Sequence, residues 1–312
     1  MNVHDYLDFE QPLIEVQKRL DELDADDPQA GAQRSELEQQ LNQETQKIFS
    51  DLSIWQHVLL ARHGLRPHTI DVIGGVFTGF TELHGDRRFG DDAAIVGGLA
   101  HLDGAPVMVI GHEKGRTPEE RGERNFGMPQ PEGLRKALRL MRLAERFSLP
   151  VLTFVDTPGA YPGAEGEVHN QNEAIASNLA AIYRLRVPVI ATVIGEGGSG
   201  GALAIGCGDW LQMMQFSVYS VATPEACSSI VWRSPDHAEA AAEAMKLVPD
   251  ALLELGVIDR IVPEPSGGAH RDLEGTCALL RSHLSDVLKR LRGMPVEQLL
   301  RERTRRFRAL GD

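Results

Sequence analysis

Residues 195–206 read Gly-Glu-Gly-Gly-Ser-Gly-Gly-Ala-Leu-Ala-Ile-Gly, with five glycines among positions 195–201, directly after the apolar run Val189–Ile194. Glycine loses more backbone freedom on folding than any other residue, so this density is costly unless the chain needs positive φ or bare amides. Bare amides at a helix start are donors for a negative oxygen. The chemistry suggested is stabilisation of an oxyanion by the main chain, with no reactive side group required.

Two side-chain chemistries compete for the same residues. Gly195-Glu196-Gly197-Gly198-Ser199-Gly200 satisfies the dinucleotide pattern G-x-G-x-x-G. That motif opens a helix of several turns and precedes a strand ending in an acid. Here the helix has room only for Gly201–Gly206 before Asp209-Trp210, and Glu225, which could stand in for the acid, follows Pro224. Gly197-Gly198-Ser199-Gly200-Gly201 also satisfies G-x-S-x-G, the elbow that exposes a nucleophilic serine. His237 or His270 can be the base, with Asp236 or Asp259 orienting it, so a serine hydrolase using Ser199 stays open. The simpler role for Ser199 is to cap the following helix.

Other motifs carry less. Asp156-Thr157-Pro158-Gly159 matches the D-x-x-G of GTPases, but the chain holds no G-x-x-x-x-G-K-[ST]. Ala244-Met245-Lys246-Leu247 resembles the surroundings of a biotinylated lysine, yet the helix-forming run Ala238–Glu243 precedes it where a tight hairpin would be needed. His112, Glu113, Lys114 and Arg116 leave a strand together, and read as either a salt-linked turn or an anion-binding edge; the flanking Gly111 and Gly115 favour ligand contact.

These residues need a scaffold. Ala94–Leu99, Val107–Gly111, Val151–Asp156 and Val189–Ile194 read as strands, with Asp103-Gly104 as the hairpin turn between the first two. Helical patterns at Pro131–Phe147, Glu173–Leu185 and Pro235–Leu247 alternate with the later strands, which predicts an α/β fold with parallel pairing. Loops 157–163 and 195–201 then lie at the carboxyl ends of neighbouring strands, where such folds place ligands. Upstream, residues 8–24 and a second helix from about Ser35 to His63 form a helical hairpin, the first stopped by Asp24-Ala25-Asp26-Asp27-Pro28. Its apolar stripe needs a partner surface, in this chain or another. The 270–309 segment is again helical, and its Arg301–Arg308 end reads as a solvated face.

The net charge of −13 over 312 residues opposes non-specific attachment to nucleic acid or an anionic membrane. A local cluster such as Lys114, Arg116, Arg121 and Arg124 can still receive a phosphate-bearing ligand. Aromatics at 5% argue against an all-β sandwich. Cys207, Cys227 and Cys277 are too widely spaced for a zinc clip and read as reduced core residues. Met1–Tyr6 shows no basic and apolar leader, and no stretch approaches 18 apolar residues, so a cytoplasmic location is expected.

Four segments taken together go further. Leu7–Pro12, Arg124-Asn125-Phe126-Gly127-Met128-Pro129, Asp156–Gly163 and Gly195–Gly206, continued in order by Pro263–Arg271, resemble the carboxyltransferase α subunits of bacterial acetyl-CoA carboxylase from about residue 7 to 271. The resemblance implies a crotonase-like fold of strand-strand-helix units. It implies an N-terminal helical hairpin over 1–65 that contacts a partner, a carboxyltransferase domain over 66–292 and a C-terminal helix over 293–312. By the same likeness a β subunit carries the zinc ribbon in an α2β2 assembly, and no metal belongs to this chain. The implied reaction moves a carboxyl group from carboxybiotin, held on a biotin carboxyl carrier protein and loaded by biotin carboxylase, to acetyl-CoA. Gly200 and Gly201 would supply amides to the biotin ureido oxygen; Gly159, Ala160, Tyr161, Gly163, Gly197 and Gly198 would line the pocket. Residues 164–171 depart from the family pattern, lacking an arginine and two glycines, which raises the question of whether His169 replaces the cation.

Overall fold

A computed structural model describes residues 6–23 and 30–310. Helix α1 (Gln11–Asp21) packs on α2 (Ala30–Phe49) through Val16, Leu20 and Leu37, a small core of their own. The expected stop at residues 24–28 lies outside the described residues. The single helix expected to His63 is instead two. Ser53 accepts the Gln56 N–H at 3.2 Å while the Gln56 side chain accepts the Ser53 N–H at 2.7 Å, and this capping box starts α3 (Ile54–Ala61) in a new direction. Helix α4 (Thr69–Val76) leads into the sheet.

Strands β1 (Thr78–Glu82), β2 (Ile95–Leu102) and β3 (Ala105–His112) pair antiparallel, and the last two are joined at Asp103-Gly104. Both turn residues have positive φ (50° and 76°), the two-residue hairpin geometry expected of Asp-Gly. The chain continues through α5 (Pro118–Glu123), α6 (Pro131–Arg146), β4 (Val151–Thr157), α7 (Ala164–Val168), α8 (Gln171–Arg184), β5 (Val189–Gly198) and α9 (Ser199–Gly206). Then follow β6 (Trp210–Met214), β7 (Val218–Ser220), α10 (Pro224–Trp232), α11 (Ala238–Met245), α12 (Pro249–Glu254), β8 (Arg260–Val262), α13 (Leu273–Arg292) and α14 (Val296–Ala309). The sheet order is β1-β2-β3-β4-β5-β6-β8, parallel from β3 onward, with β7 pairing the far end of β5.

Strands β4 and β5 are buried along their whole length because both sheet faces are covered. Alternate side chains enter opposite cores. Leu152, Phe154, Ile190 and Ile194 join α4 and α13 on one face; Val151, Val155, Ala191 and Val193 join α6, α8 and α9 on the other. This double cover rigidifies the two strands whose ends carry the glycine loops.

The arginine-rich end is a solvated face only in part: Arg301, Arg305 and Arg308 are exposed, but Arg303 and Arg306 turn inward. Arg303 is 1% exposed, and its guanidinium donates to both Asp209 carboxylate oxygens and to the carbonyls of Ile182, Leu185 and Val187 at 2.6–3.1 Å. It ties α14 to the end of α8 and the start of β6, and Arg306 adds an ion pair to Asp259. Removing one partner of a buried pair leaves the other charge uncompensated, so Arg303→Met should destabilise by about 3–5 kcal/mol. Urea unfolding monitored by circular dichroism checks this, and a loss below about 1 kcal/mol would contradict the tie.

Candidate functional site

The carboxyl ends of β4 and β5 lie side by side, with Thr157 paired to Gly197 after a register shift that follows Val155. From β4 the loop Pro158–Gly163 emerges; from β5 the chain turns directly into α9. The two backbones touch. A Cβ on Gly201 would sit 2.6 Å from both the Ala160 nitrogen and the Gly159 carbonyl carbon, and one on Gly198 would collide with the Pro158 carbonyl. Close approach of main chain to main chain therefore dictates glycine at 198 and 201. At Gly200 a Cβ would meet only the Ile175 side chain, at 3.1 Å.

Gly159, Ala160 and Tyr161 are half-buried along one wall, and Tyr161 is held by its N–H to the Pro129 carbonyl at 3.0 Å with its ring over Gly163. Across from them Gly197 and Gly198 are buried, Ser199 is exposed, Gly200 is half-buried and Gly201 is buried. No side chain caps the first turn of α9, where the N–H groups of Ser199, Gly200 and Gly201 lie ahead of the intrahelical ladder. The structure thus brings Gly159, Ala160, Tyr161, Gly163, Gly197, Gly198, Gly200 and Gly201 into one region, with the uncapped start of α9 at its edge.

Ser199 links strand to helix at φ 53°, in the left-handed region. It does not cap α9: Gly198 holds that position and no side chain accepts the first amides. Nor does it meet a base. The His237 ring packs on Trp232, and His270 lies against His63 and Glu10. Of the candidate orienting acids, Asp236 accepts from Ser234 Oγ at 2.7 Å and Asp259 is paired with Arg306. Among the described residues no hydrogen bond reaches Ser199 Oγ, so a serine triad is not assembled.

Behind the loops lies a charge cluster that the sequence presented only as scattered residues. Lys114 Nζ is 2.7 Å from Asp156 Oδ1 and 2.8 Å from Glu196 Oε2; Arg62 Nε donates to Glu196 Oε1 at 2.7 Å and grips Glu225 with its other two nitrogens. Asp156 also accepts the Glu196 N–H at 2.9 Å. Burial alone would raise the Glu196 pKa, but Lys114 and Arg62 override it and hold the carboxyl at about 2. Arg116 pairs with Asp71, and Arg124 donates to the Ala93 carbonyl at 2.8 Å. The segment after β3 is therefore a salt-linked turn and not the anion-binding edge that its composition suggested. Of the four cations, only Arg121 has no such partner among the described residues. It lines a cavity of about 270 Å³ with Arg62, Lys114, Phe126, Pro158 and Glu196.

His169 does not face the glycine loops. Its Nδ1 is 2.9 Å from Glu132 Oε1, while Arg135 donates to Glu132 and to the His169 carbonyl, so this histidine ties α7 to α6. Glu10, His63 and His270 bring potential ligand atoms within 4.8 Å of one another, but Arg271 already donates to Glu10 at 2.7 Å. That group joins the N-terminal turn to the segment before α13.

The chain matches the family model for acetyl co-enzyme A carboxylase carboxyltransferase-like proteins over residues 6–311. It belongs to that family. Among similar proteins, the acetyl-coenzyme A carboxylase carboxyl transferase subunit alpha of Thioalkalivibrio sulfidiphilus (strain HL-EbGR7) is 55% identical over 99% of this chain and 98% of its own. That of Halorhodospira halophila (strain DSM 244 / SL1) is 53% identical over 98% of each. Of solved structures, transcarboxylase 12S superposes with a TM-score of 0.57 at 20% identity, covering 71% of this chain and 41% of that one. A Pseudomonas malonate decarboxylase hetero-tetramer with coenzyme A gives 0.54 at 25% identity, over 69% and 86%. The fold is the crotonase-like one that the family implies, and these relatives are not serine hydrolases. No helix among the described residues is long and apolar enough to cross a membrane.

The Glu196 carboxylate makes a prediction with a definite sign. Its folded pKa lies below the ordinary 4.5, so its contribution is complete above pH 4.5 and is lost as pH falls toward about 2. A shift of that size corresponds to roughly 3 kcal/mol. Glu196→Gln should be less stable at neutral pH and lose less on acidification, measured as melting temperature from pH 7 to 2.5. Parallel curves for the two proteins would refute the linkage.

Proposed function

We propose that this chain is the α half of an acetyl-CoA:carboxybiotin carboxyltransferase, working with a β subunit in an α2β2 assembly. Its substrates are carboxybiotin on a biotin carboxyl carrier protein, loaded by biotin carboxylase, and acetyl-CoA; the product is malonyl-CoA. The observation that carries this reading is the uncapped first turn of α9 at Ser199, Gly200 and Gly201, pressed against the Gly159–Tyr161 wall.

Carboxybiotin supplies the carboxyl group and leaves a ureido oxygen carrying negative charge. Fixed N–H donors aimed at that oxygen stabilise the charge without reorienting, and one such donor is worth about 3 kcal/mol of barrier. Gly200 and Gly201 are assigned that role. Gly159, Ala160, Tyr161, Gly163, Gly197 and Gly198 shape the pocket, and because Gly201 cannot carry a Cβ the donors are fixed relative to that wall. No side chain here is placed to attack or to take a proton, so acetyl-CoA activation is assigned to the partner, which also carries the zinc ribbon. The hairpin of residues 1–65 is assigned to the subunit contact, 66–292 to the carboxyltransferase domain and 293–312 to its closing helix.

Purified chain alone should transfer no carboxyl group, and β subunit should restore transfer from carboxybiotin to [14C]acetyl-CoA. In that assay Ser199→Ala should retain most activity. Gly201→Ala should lose about 100-fold because its Cβ forces the amide off the oxyanion, whereas Gly200→Ala, facing only Ile175, should lose about tenfold or less. Full activity in Gly201→Ala, or abolition by Ser199→Ala, would overturn the proposal.

A further inference from the structure

A cavity of about 390 Å³ opens between α6, the start of α8 and the turn at residues 86–88, and none of its lining residues belongs to the glycine loops or the charge cluster. Arginines dominate its wall: Arg87 and Arg88 come from the turn, and Arg135, Arg139 and Arg142 from one side of α6. The acids on the wall are Asp86 and Glu173. Asp86 is already committed, since Oδ1 accepts the N–H groups of Arg88, Phe89 and Gly90 at 2.8–3.1 Å and Oδ2 accepts Arg135 Nε at 2.9 Å. Glu173 accepts from Ser177 Oγ at 2.6 Å. Arg139 is anchored by donating to the carbonyls of Gly85 and His84 at 2.9 and 3.1 Å. Among the described residues no hydrogen bond or ion pair engages the side chains of Arg87, Arg88 and Arg142.

Carboxylates are not scarce in this chain. Acids outnumber Lys and Arg by 45 to 32, yet Arg87, Arg88, Arg139 and Arg142 face only Glu173 as an uncommitted charge. A concave wall of one sign concentrates the field and attracts a counter-ion. Burial and then the Arg87 charge hold the Arg139 pKa below its ordinary value, as like charges crowded together should. The turn that presents them is fixed: Arg87 sits at φ 64°, in the left-handed region, kept there by the Asp86 side chain and by the Asp86 N–H donating to the Gly90 carbonyl at 2.9 Å. A guanidinium fork matches phosphate oxygens two at a time, and the volume falls within the roughly 300–1,000 Å³ of small-molecule sites. We propose that this cavity binds a small phosphate ester, with Arg87, Arg88 and Arg142 as its ligating groups and Arg139 behind them. The net charge of −13 disfavours nucleic acid, and a concave site of this size suits a compact anion better than an acidic protein segment. Such a site is additional to the carboxyl-transfer one and does not depend on it.

Calorimetric titration of the full chain with pyrophosphate tests the site. One saturable equivalent should bind, and Arg88→Gln and Arg142→Gln should each weaken it about tenfold, since each removes a charge-assisted contact. Neither side chain is bonded within the chain, so both variants should melt within about 2 °C of the wild type. Arg301→Gln, which removes an exposed charge from α14, should leave the affinity unchanged. No saturable binding, equal weakening by Arg301→Gln, or binding of a glutamate-rich peptide without any of pyrophosphate would overturn the inference. Coenzyme A and adenosine diphosphate, titrated in turn, separate two sources of such a phosphate. Tighter binding of coenzyme A, lost in the same two variants, assigns the cavity to the nucleotide end of an acyl-CoA; tighter binding of adenosine diphosphate assigns it to a free nucleotide.

Discussion

Lys114 sits between two carboxylates that belong to different strands, and the geometry of the site follows from that arrangement. An ammonium this deeply placed is tolerable only if paired, and Asp156 of β4 and Glu196 of β5 both lie within hydrogen-bonding distance of it. Burial works against the Lys114 charge, but the two acids outweigh it and raise its pKa. Because Asp156 also accepts the Glu196 N–H, the two strands are joined by side chain as well as by ladder. Arg62 then ties the same glutamate to α3 and to Glu225 of α10. One buried cluster thus sets where four elements end.

The glycine loops begin one or two residues beyond that cluster. Strands held so close leave no room for side chains where the loop after β4 meets the first turn of α9, hence the glycines at 198 and 201. A Cβ at Gly195 would likewise strike Asp156. The same turn carries no side-chain cap, so a packing requirement and a chemical capacity come from the same residues. Two covered sheet faces behind the strands, with Arg303 closing the far end, resist the motions that would blur the donors' aim.

Much of this was readable beforehand, and the failures have physical causes. The continuous apolar runs of β3, β4 and β5 announce strands buried on both faces, and Asp103-Gly104 announces its turn. The short strands at Thr78–Glu82, Val218–Ser220 and Arg260–Val262 escaped because three to five residues of mixed polarity carry no periodic signal. The helix assumed to run to His63 ignored the Ser53–Gln56 capping pair. Within the site, the density of glycine pointed to working amides, but which glycine is forced by contact depends on the loop after β4. Lys114 looked like a ligand for anions because its partners are distant in sequence. Arg303 looked solvated for the same reason. Charge pairing across a sheet leaves no local pattern to read.

The central claim is that main-chain nitrogens of α9, rather than a nucleophilic side chain, meet the oxygen on which charge develops. A structure of the α–β assembly with biotin bound tests it most directly. The account predicts the ureido oxygen about 3 Å from the Gly200 and Gly201 nitrogens, against the Gly159–Tyr161 wall. A ureido oxygen turned away from both nitrogens, or a covalent adduct on Ser199 Oγ, would contradict it.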